Sequence, residues 1–289
     1  MIPLAGILIV LGAVAGGFIM AGGSMAQLAQ PAEVVIIAGA ALGATMAGNP
    51  LACVLKTGGA VTRIFRGPVY TTDRYLATLA TLYTIFHFAR RSAPSALEDA
   101  VENPRRGRLF AGFILAGGDG DALEFVCDTL RISALGAVSP HSLDAMLESE
   151  LEVRHKDGTG PVDLLARLAD SLPGFGIVAA VLGVILSMGA IREPPLKVGL
   201  KIATALIGTF TGILLAYGIV GPIAARVAKI EDAEAAYFES LRAGLASFAK
   251  GMPTAIAIEC ARRAIPLDVR PGFEATENAC RRIHYPIQS

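Results

Sequence analysis

The sequence predicts an all-α integral membrane protein, with four transmembrane helices and a large helical cytoplasmic domain. Three observations predict it. The chain of 289 residues is 53% hydrophobic and only 17% charged. Two long runs, Ser171 to Ile191 and Ile202 to Ala225, contain no charged residue in 21 and 24 positions. Each is long enough to cross a hydrocarbon core of roughly 30 Å as a helix. Between the N-terminal apolar region and the first of these runs, residues 56–170 hold 13 Lys or Arg, and this polar stretch reads as a domain outside the bilayer.

The N-terminal region, 1–55, carries a single charge, Glu33. Its first span is read over about 2–20 and its second over about 32–51. No basic segment precedes the first, and a second apolar run follows at once, so it reads as a retained helix and not as a cleaved signal. Gly12 and Gly16, then Gly39 and Gly43, stand four apart. That spacing lets helix backbones approach closely in lipid; glycine is also generally common in membrane helices. Glu33 falls at the edge of the second span, where it can reach interfacial water or favour the helix N-terminus; the capping role is the favoured one.

In the polar segment 56–170, Leu76, Leu79, Tyr83 and Phe86 recur at helical spacing, with Leu82 and Ile85 alongside. This predicts an amphipathic helix of about 16 residues ending near Arg90. A second helix opens at Pro94, with Ser95 and Glu98 at capping-box spacing. A third spans Pro140 to Arg154, with Leu143, Leu147 and Leu151 on one face. Gly117 to Asp121 reads as a turn, and Gly158-Thr159-Gly160-Pro161 as a break. Asp163 to Asp170 leads into the third span (171–191) as one helix. Pro194 and Pro195 suit the turn before the fourth span (202–225). The tail, 226–289, reads as helical to about Arg263, with a turn at Pro266 and Pro271 and a last helix over 272–282.

Lys56, Arg63 and Arg66 follow the second span, and Arg226 and Lys229 follow the fourth, while residues 22–31 carry no charge. The bias puts the long loop, the tail and both termini in the cytoplasm, although Arg192, Lys197 and Lys201 weaken the signal.

Several functions are disfavoured. Lys+Arg and Asp+Glu are both 25, so no nucleic-acid partner is expected. Cys53, Cys127, Cys260 and Cys280 have no CxxC spacing, which makes a disulfide frame or zinc site unexpected. His87, His141, His155 and His284 are scattered. No GxxxxGK[ST], HExxH or GxSxG occurs, and neither enzyme chemistry nor a cofactor is expected. Thr209 and Thr211 can bond to the carbonyl one turn back, or face a water-filled seam. No acid lies within the third or fourth span. If the protein conducts a cation, the binding carboxylate must come from a partner.

Several long motifs, in order, resemble the MotA family of flagellar stator subunits over nearly the whole chain. They are QPAEVVIIAGAALGATMAGNP, RRSAPSALEDAVENP, DSLPGFGIVAAVLGVILSMG, ALIGTFTGILLAYGIVGPIA, IAIECARR and RPGFE. The resemblance implies a multi-pass protein of the bacterial inner membrane. Five such subunits would surround two MotB-type subunits, whose aspartate takes up the ion, and the cytoplasmic domain would drive the rotor protein FliG. Residue by residue, it implies a rotor contact at Arg90 and Glu98, with Arg91 an extra basic residue. It also implies conformational roles for Pro173 and Pro222, although Pro173 also suits tolerance near a helix start. Asp170 matches an acid beside the proton's exit, or caps span three. Thr209 matches a threonine of sodium-driven relatives, whereas Ala180 stands where those relatives have a second one, so the transported ion is expected to be H+. The alternatives are an ExbB/TolQ-like ion-driven motor, a sodium-driven stator, or a membrane scaffold that does not conduct.

Overall fold

The computed structural model describes residues 2–105, 109–110, 113, 120–134, 136, 138–189, 192 and 194–283, and among these it is all-helical with no strand. The chain divides into two compact units. One comprises Met1–Gly67 and Gly158–Ile230, and the other Pro68–Asp157 and Glu231–Ser289. Residues 56–67 and 158–170 therefore group with the apolar helices.

In the first unit, α1 (Ile2–Met20) is apolar on every side, and Leu8 and Ile9 are exposed. A helix apolar all round is stable only where its surroundings are also apolar. A four-residue turn of helix, α2 (Met25–Leu28), interrupts the link read as a loop. Next, α3 (Pro31–Gly48) starts on Pro31, whose missing N–H costs nothing in a first turn. It stops before Pro50, and a separate helix, α4 (Leu51–Arg63), follows where none was expected.

The long helix α8 (Pro140–Met188) carries both the predicted helix at 140–154 and the third span. Leu143 and Leu147 are buried as expected. The expected break at 158–161 does not occur, because the helix passes straight through Pro161. An internal proline costs about 3 kcal/mol in helix propensity. Packing outweighs it here: Pro161 is buried, and a Cβ on Gly160 would stand 3.7 Å from Cys53 Sγ of α4. The fourth span begins in α9 (Pro195–Leu215), passes a π-helical turn at Ala216–Val220, and continues as α10 (Gly221–Ala249). Four helical segments are long and apolar enough to cross a membrane: Pro3–Met20, Met25–Gly48, and stretches of Pro140–Met188 and Pro195–Ala249.

The second unit is built around α5 (Thr72–Arg91), whose N-cap Thr71 accepts from the Arg74 N–H. The prediction of an amphipathic helix fails in one respect, for α5 is buried nearly all round. Leu79, Leu82, Ile85 and Phe86 are buried as expected, but so are Thr78, Thr81 and Thr84. Thr81 and Thr84 bond back to Ala77 and Ala80, and Thr78 pairs with the Tyr237 hydroxyl at 2.9 Å. Threonine that bonds its own helix can be buried without leaving an unmet donor. Around α5 pack α6 (Pro94–Glu102), α7 (Gly120–Ala134), and residues of α8 and α10. Two further helices, α11 (Thr254–Ala264) and α12 (Phe273–Ile283), complete the unit.

Three expectations are corrected here. The Ser95/Glu98 capping box does not form, because Ala93 is the N-cap and Pro94 the first helical residue. Gly120 and Asp121 open α7 instead of ending a turn, while residues 117–119 and His284 lie outside the described residues. The tail helix breaks before Arg263, at Gly251, whose φ of +78° suits glycine. There Gly251 N–H bonds to Phe248 O and Met252 N–H to Ser247 O, and Pro253 follows.

Candidate functional site

In the membrane unit, α8 and α9 pack antiparallel in backbone contact. A Cβ on Gly176 would stand 2.9 Å from Gly208 O and 3.2 Å from Thr209 Cα. One on Gly212 would stand 2.6 Å from Leu172 O, and one on Gly183 2.6 Å from Ala205 Cβ. Small residues at these places let dispersion contacts accumulate where lipid offers no hydrophobic drive between helices.

Two of the candidate ion-pathway residues meet along this seam. Ala180 contributes its backbone beside Gly208, and Thr209 lies against Gly176; both are half-buried. Thr204 bonds back to Leu200 O, but Thr209 and Thr211 make no hydrogen bond among the described residues. The Thr209 hydroxyl is thus available to a ligand. Asp170 is not brought to this level. It is exposed, ten residues before Ala180, or about 15 Å of helical rise. Nor can it cap span three, since α8 began at Pro140.

Pro173 likewise lies inside α8, well past the helix start that would tolerate it, and the helix continues unbroken. Pro222 does perturb its helix. It cannot donate to the carbonyl of Gly218, and its ring crowds that carbonyl. Immediately before it the backbone widens to the π-turn, in which Gly221 N–H bonds to Ala216 O. A Cβ on Gly221 would lie 2.9 Å from that same oxygen. Such turns mark places where a helix can change register.

Glu33 stands at the helix start, as expected, but its carboxyl turns elsewhere. It is in the first turn of α3, yet it is 6% exposed, and its Oε2 has no hydrogen-bond partner. A Cβ on Gly208 would stand 2.4 Å from that oxygen, with Ala179 and Ala180 beside it. The carboxyl therefore reaches into the seam and does not turn to interfacial water. The available signal was a lone acid in 55 otherwise uncharged residues. Sequence could not give its direction, because that depends on how α3 packs on α9.

In the second unit, the Arg90 guanidinium donates to Met252 O and lies 5.5 Å over the Phe248 ring. The turn at Gly251 places that carbonyl. Arg90 is itself exposed, as are Arg91 and Glu98. Nearby charges are strongly paired. Asp144 accepts from Lys250 Nζ and from Arg242 Nη1, each at 2.7 Å, and the Lys250 hydrogen bond chiefly holds its carboxyl below the usual range. Glu259 accepts from Arg262 and Arg263, which bring its carboxyl down to about 2, with Arg262 contributing most. Burial pushes the Cys127 thiol up to about 11 and that of Cys280 to about 12. Among the described residues no group of three or more His, Cys, Asp or Glu gathers as a metal site would require.

The Motility protein A N-terminal family matches residues 4–93, and the MotA/TolQ/ExbB proton channel family matches residues 123–240. Motility protein A of Escherichia coli strain K12 is 37% identical over 288 residues, covering all of this chain and 98% of that protein. The chain belongs to the Motility protein A family. Motility protein A of Salmonella typhimurium is 35% identical over the same span, again covering 98% of that protein. The fold agrees. The flagellar MotAB stator complex from Bacillus subtilis has a matching chain with a TM-score of 0.74 and 20% identity, over 93% of this chain and 98% of that one. The matching chain of C. jejuni MotAB gives 0.76 at 17% identity, over 94% and 98%.

Proposed function

We propose that this chain is a proton-conducting stator subunit of a bacterial flagellar motor, working with a MotB-type partner to drive the rotor protein FliG. The observation that carries this reading is the seam. Its two helices bear no charge over Ser171–Met188 and Ile202–Leu215, Thr209 makes no hydrogen bond among the described residues, and α9 runs into a proline-linked π-turn. A helix pair so built can line a path and change shape, while a MotB-type helix carries the principal ion-binding aspartate. Five copies would surround two such helices in the inner membrane, with both termini in the cytoplasm.

Thr209 would orient an ion or water, and Ala180, which has no side-chain oxygen, favours H+ over Na+. Asp170, exposed beyond the seam, would receive the proton where it leaves. Pro173 and Pro222 would set where the inner helices bend. Arg91 and Glu98 would present charge to FliG. Arg90, exposed beside them and held on Met252 O and Phe248, would present its charge in a fixed place on the same surface. No covalent step and no cofactor enters this scheme.

Co-expression tests it. Cytoplasmic acidification after an external acid pulse should appear only when this chain and a MotB-type partner with an unplugged pore are made together. No acidification with both subunits in the membrane would refute conduction and leave a scaffold.

A further inference from the structure

We propose that Glu33 is a second proton-binding site of the seam, supplied by this chain and distinct from the partner's aspartate. The inference rests on the conducting function proposed above. Glu33 is more than nine-tenths buried, its Oε2 has no hydrogen-bond partner, and that oxygen is aimed at Gly208, between α9 and Ala179–Ala180 of α8. An ionised carboxylate in such a place would be heavily penalised without a counter-charge. None is close. On α8 no titratable side chain stands between Ser171 and Met188, and on α9 none between Ile202 and Leu215. The titratable groups nearest these uncharged stretches are Asp170, Arg167 and Asp163 on α8, Lys201 and Lys197 on α9, and Tyr217 in the π-turn. The short α2, which also packs on α9, has no titratable residue, and α4, with Cys53, Lys56 and Arg63, follows the opposite end of α3 from Glu33.

The carboxyl must therefore hold a cation for much of its time, and a proton fits better than a metal ion. A hard cation needs several oxygen ligands at once, and Ala179, Ala180 and Gly208 offer no side-chain oxygen. The position suits a relay. Gly208 lies seven residues, about 10 Å of rise, inside the Lys201 end of the seam. Asp170 lies beyond its other end. The Glu33 carboxylate would take a proton from water entering at the Lys201 end and pass it to a carboxylate of the partner, returning to its ionised form. A side chain at Gly208 would take the place of the acid's oxygen and turn the carboxyl out of the seam.

The test compares the wild-type complex with Glu33→Gln and Glu33→Asp, each with the same MotB-type partner. Gln keeps the shape of the protonated acid but cannot release a proton. A relay predicts at least about a tenfold loss of proton flux in Glu33→Gln, partial activity in Glu33→Asp, and intact complexes from both. Flux in Glu33→Gln equal to wild type overturns the proposal. A second readout needs neither flux nor a variant. Dicyclohexylcarbodiimide attacks protonated carboxyls in apolar surroundings, so treated membranes of the wild-type complex should carry the adduct on Glu33, less of it as pH rises. No adduct on Glu33 at any pH overturns the proposal even if Glu33→Gln fails to assemble. Absence of flux in the wild type would count against the conducting function, and the labelling would then decide the carboxyl's state alone.

Discussion

Replacing Gly212 by alanine tests whether the seam is as tight as its geometry implies. Gly212 and Gly199 are both helical glycines of α9, so alanine gains about 0.8–1 kcal/mol of helix propensity at either. Their surroundings differ. At Gly199 a new Cβ meets nothing within 4 Å. At Gly212 it would stand 2.6 Å from Leu172 O, 2.9 Å from Gly176 Cα and 3.2 Å from Gly176 N. All three are backbone atoms, which cannot rotate aside. The helices must part by about 0.8 Å to restore ordinary contact, and gaps of that order forfeit a quarter to a half of each contact along the seam. Overpacking of this kind typically costs about 1–3 kcal/mol, and an unyielding backbone places it in the upper half. The expected net effect is a loss of about 1–2 kcal/mol for Gly212→Ala, against no loss or a small gain for Gly199→Ala. Thermal unfolding of the purified complex in detergent, with motility of the complemented strain, measures both. Equal stability of the two variants would refute the tight seam and the reasoning built on it.

Other outcomes follow from the second unit. Glu259 has its carboxyl lowered from 4.5 to about 2, so its contribution to stability is complete above pH 4.5 and disappears as pH falls toward 2; unfolding followed over that window should show a loss that Glu259→Gln lacks. Tyr237→Phe strands the buried Thr78 hydroxyl and should cost about 1–3 kcal/mol, read as a lower unfolding midpoint without change in proton flux. Arg90→Ala should lose about 1–2 kcal/mol with its carbonyl and ring partners, whereas Arg91→Ala should leave the midpoint unchanged and reduce swimming; the reverse pattern would exchange their roles.

Much of this was legible in the sequence, for identifiable reasons. The apolar runs are long and uncharged, and a membrane admits few backbone solutions, so the spans could be read directly. Leu143 and Leu147 declared their buried face through spacing alone. What stayed hidden depends on contacts between distant segments. Gly158 to Pro161 has the composition of a break, yet packing beside Cys53 keeps it helical. Thr78, Thr81 and Thr84 look like a polar face, yet they are buried because each finds an acceptor or a partner. Ser95 and Glu98 have the right spacing for a capping box, but Pro94 fixes the helix start two residues too early. Glu33 was visible as a lone acid; its direction was not, because no local pattern reports which neighbour a helix face meets. Ala180 and Thr209 could be picked out only by resemblance, and the seam shows them to be neighbours across one helix pair.

One swimming assay tests whether protons drive torque through this chain. The most direct measurement is the swimming speed of a stator-deleted strain carrying this chain and its MotB-type partner. Sodium is varied at constant proton-motive force, and a protonophore is then added in high sodium. The expected speed is indifferent to sodium and abolished by the protonophore. Speed that follows sodium and survives the protonophore would contradict it.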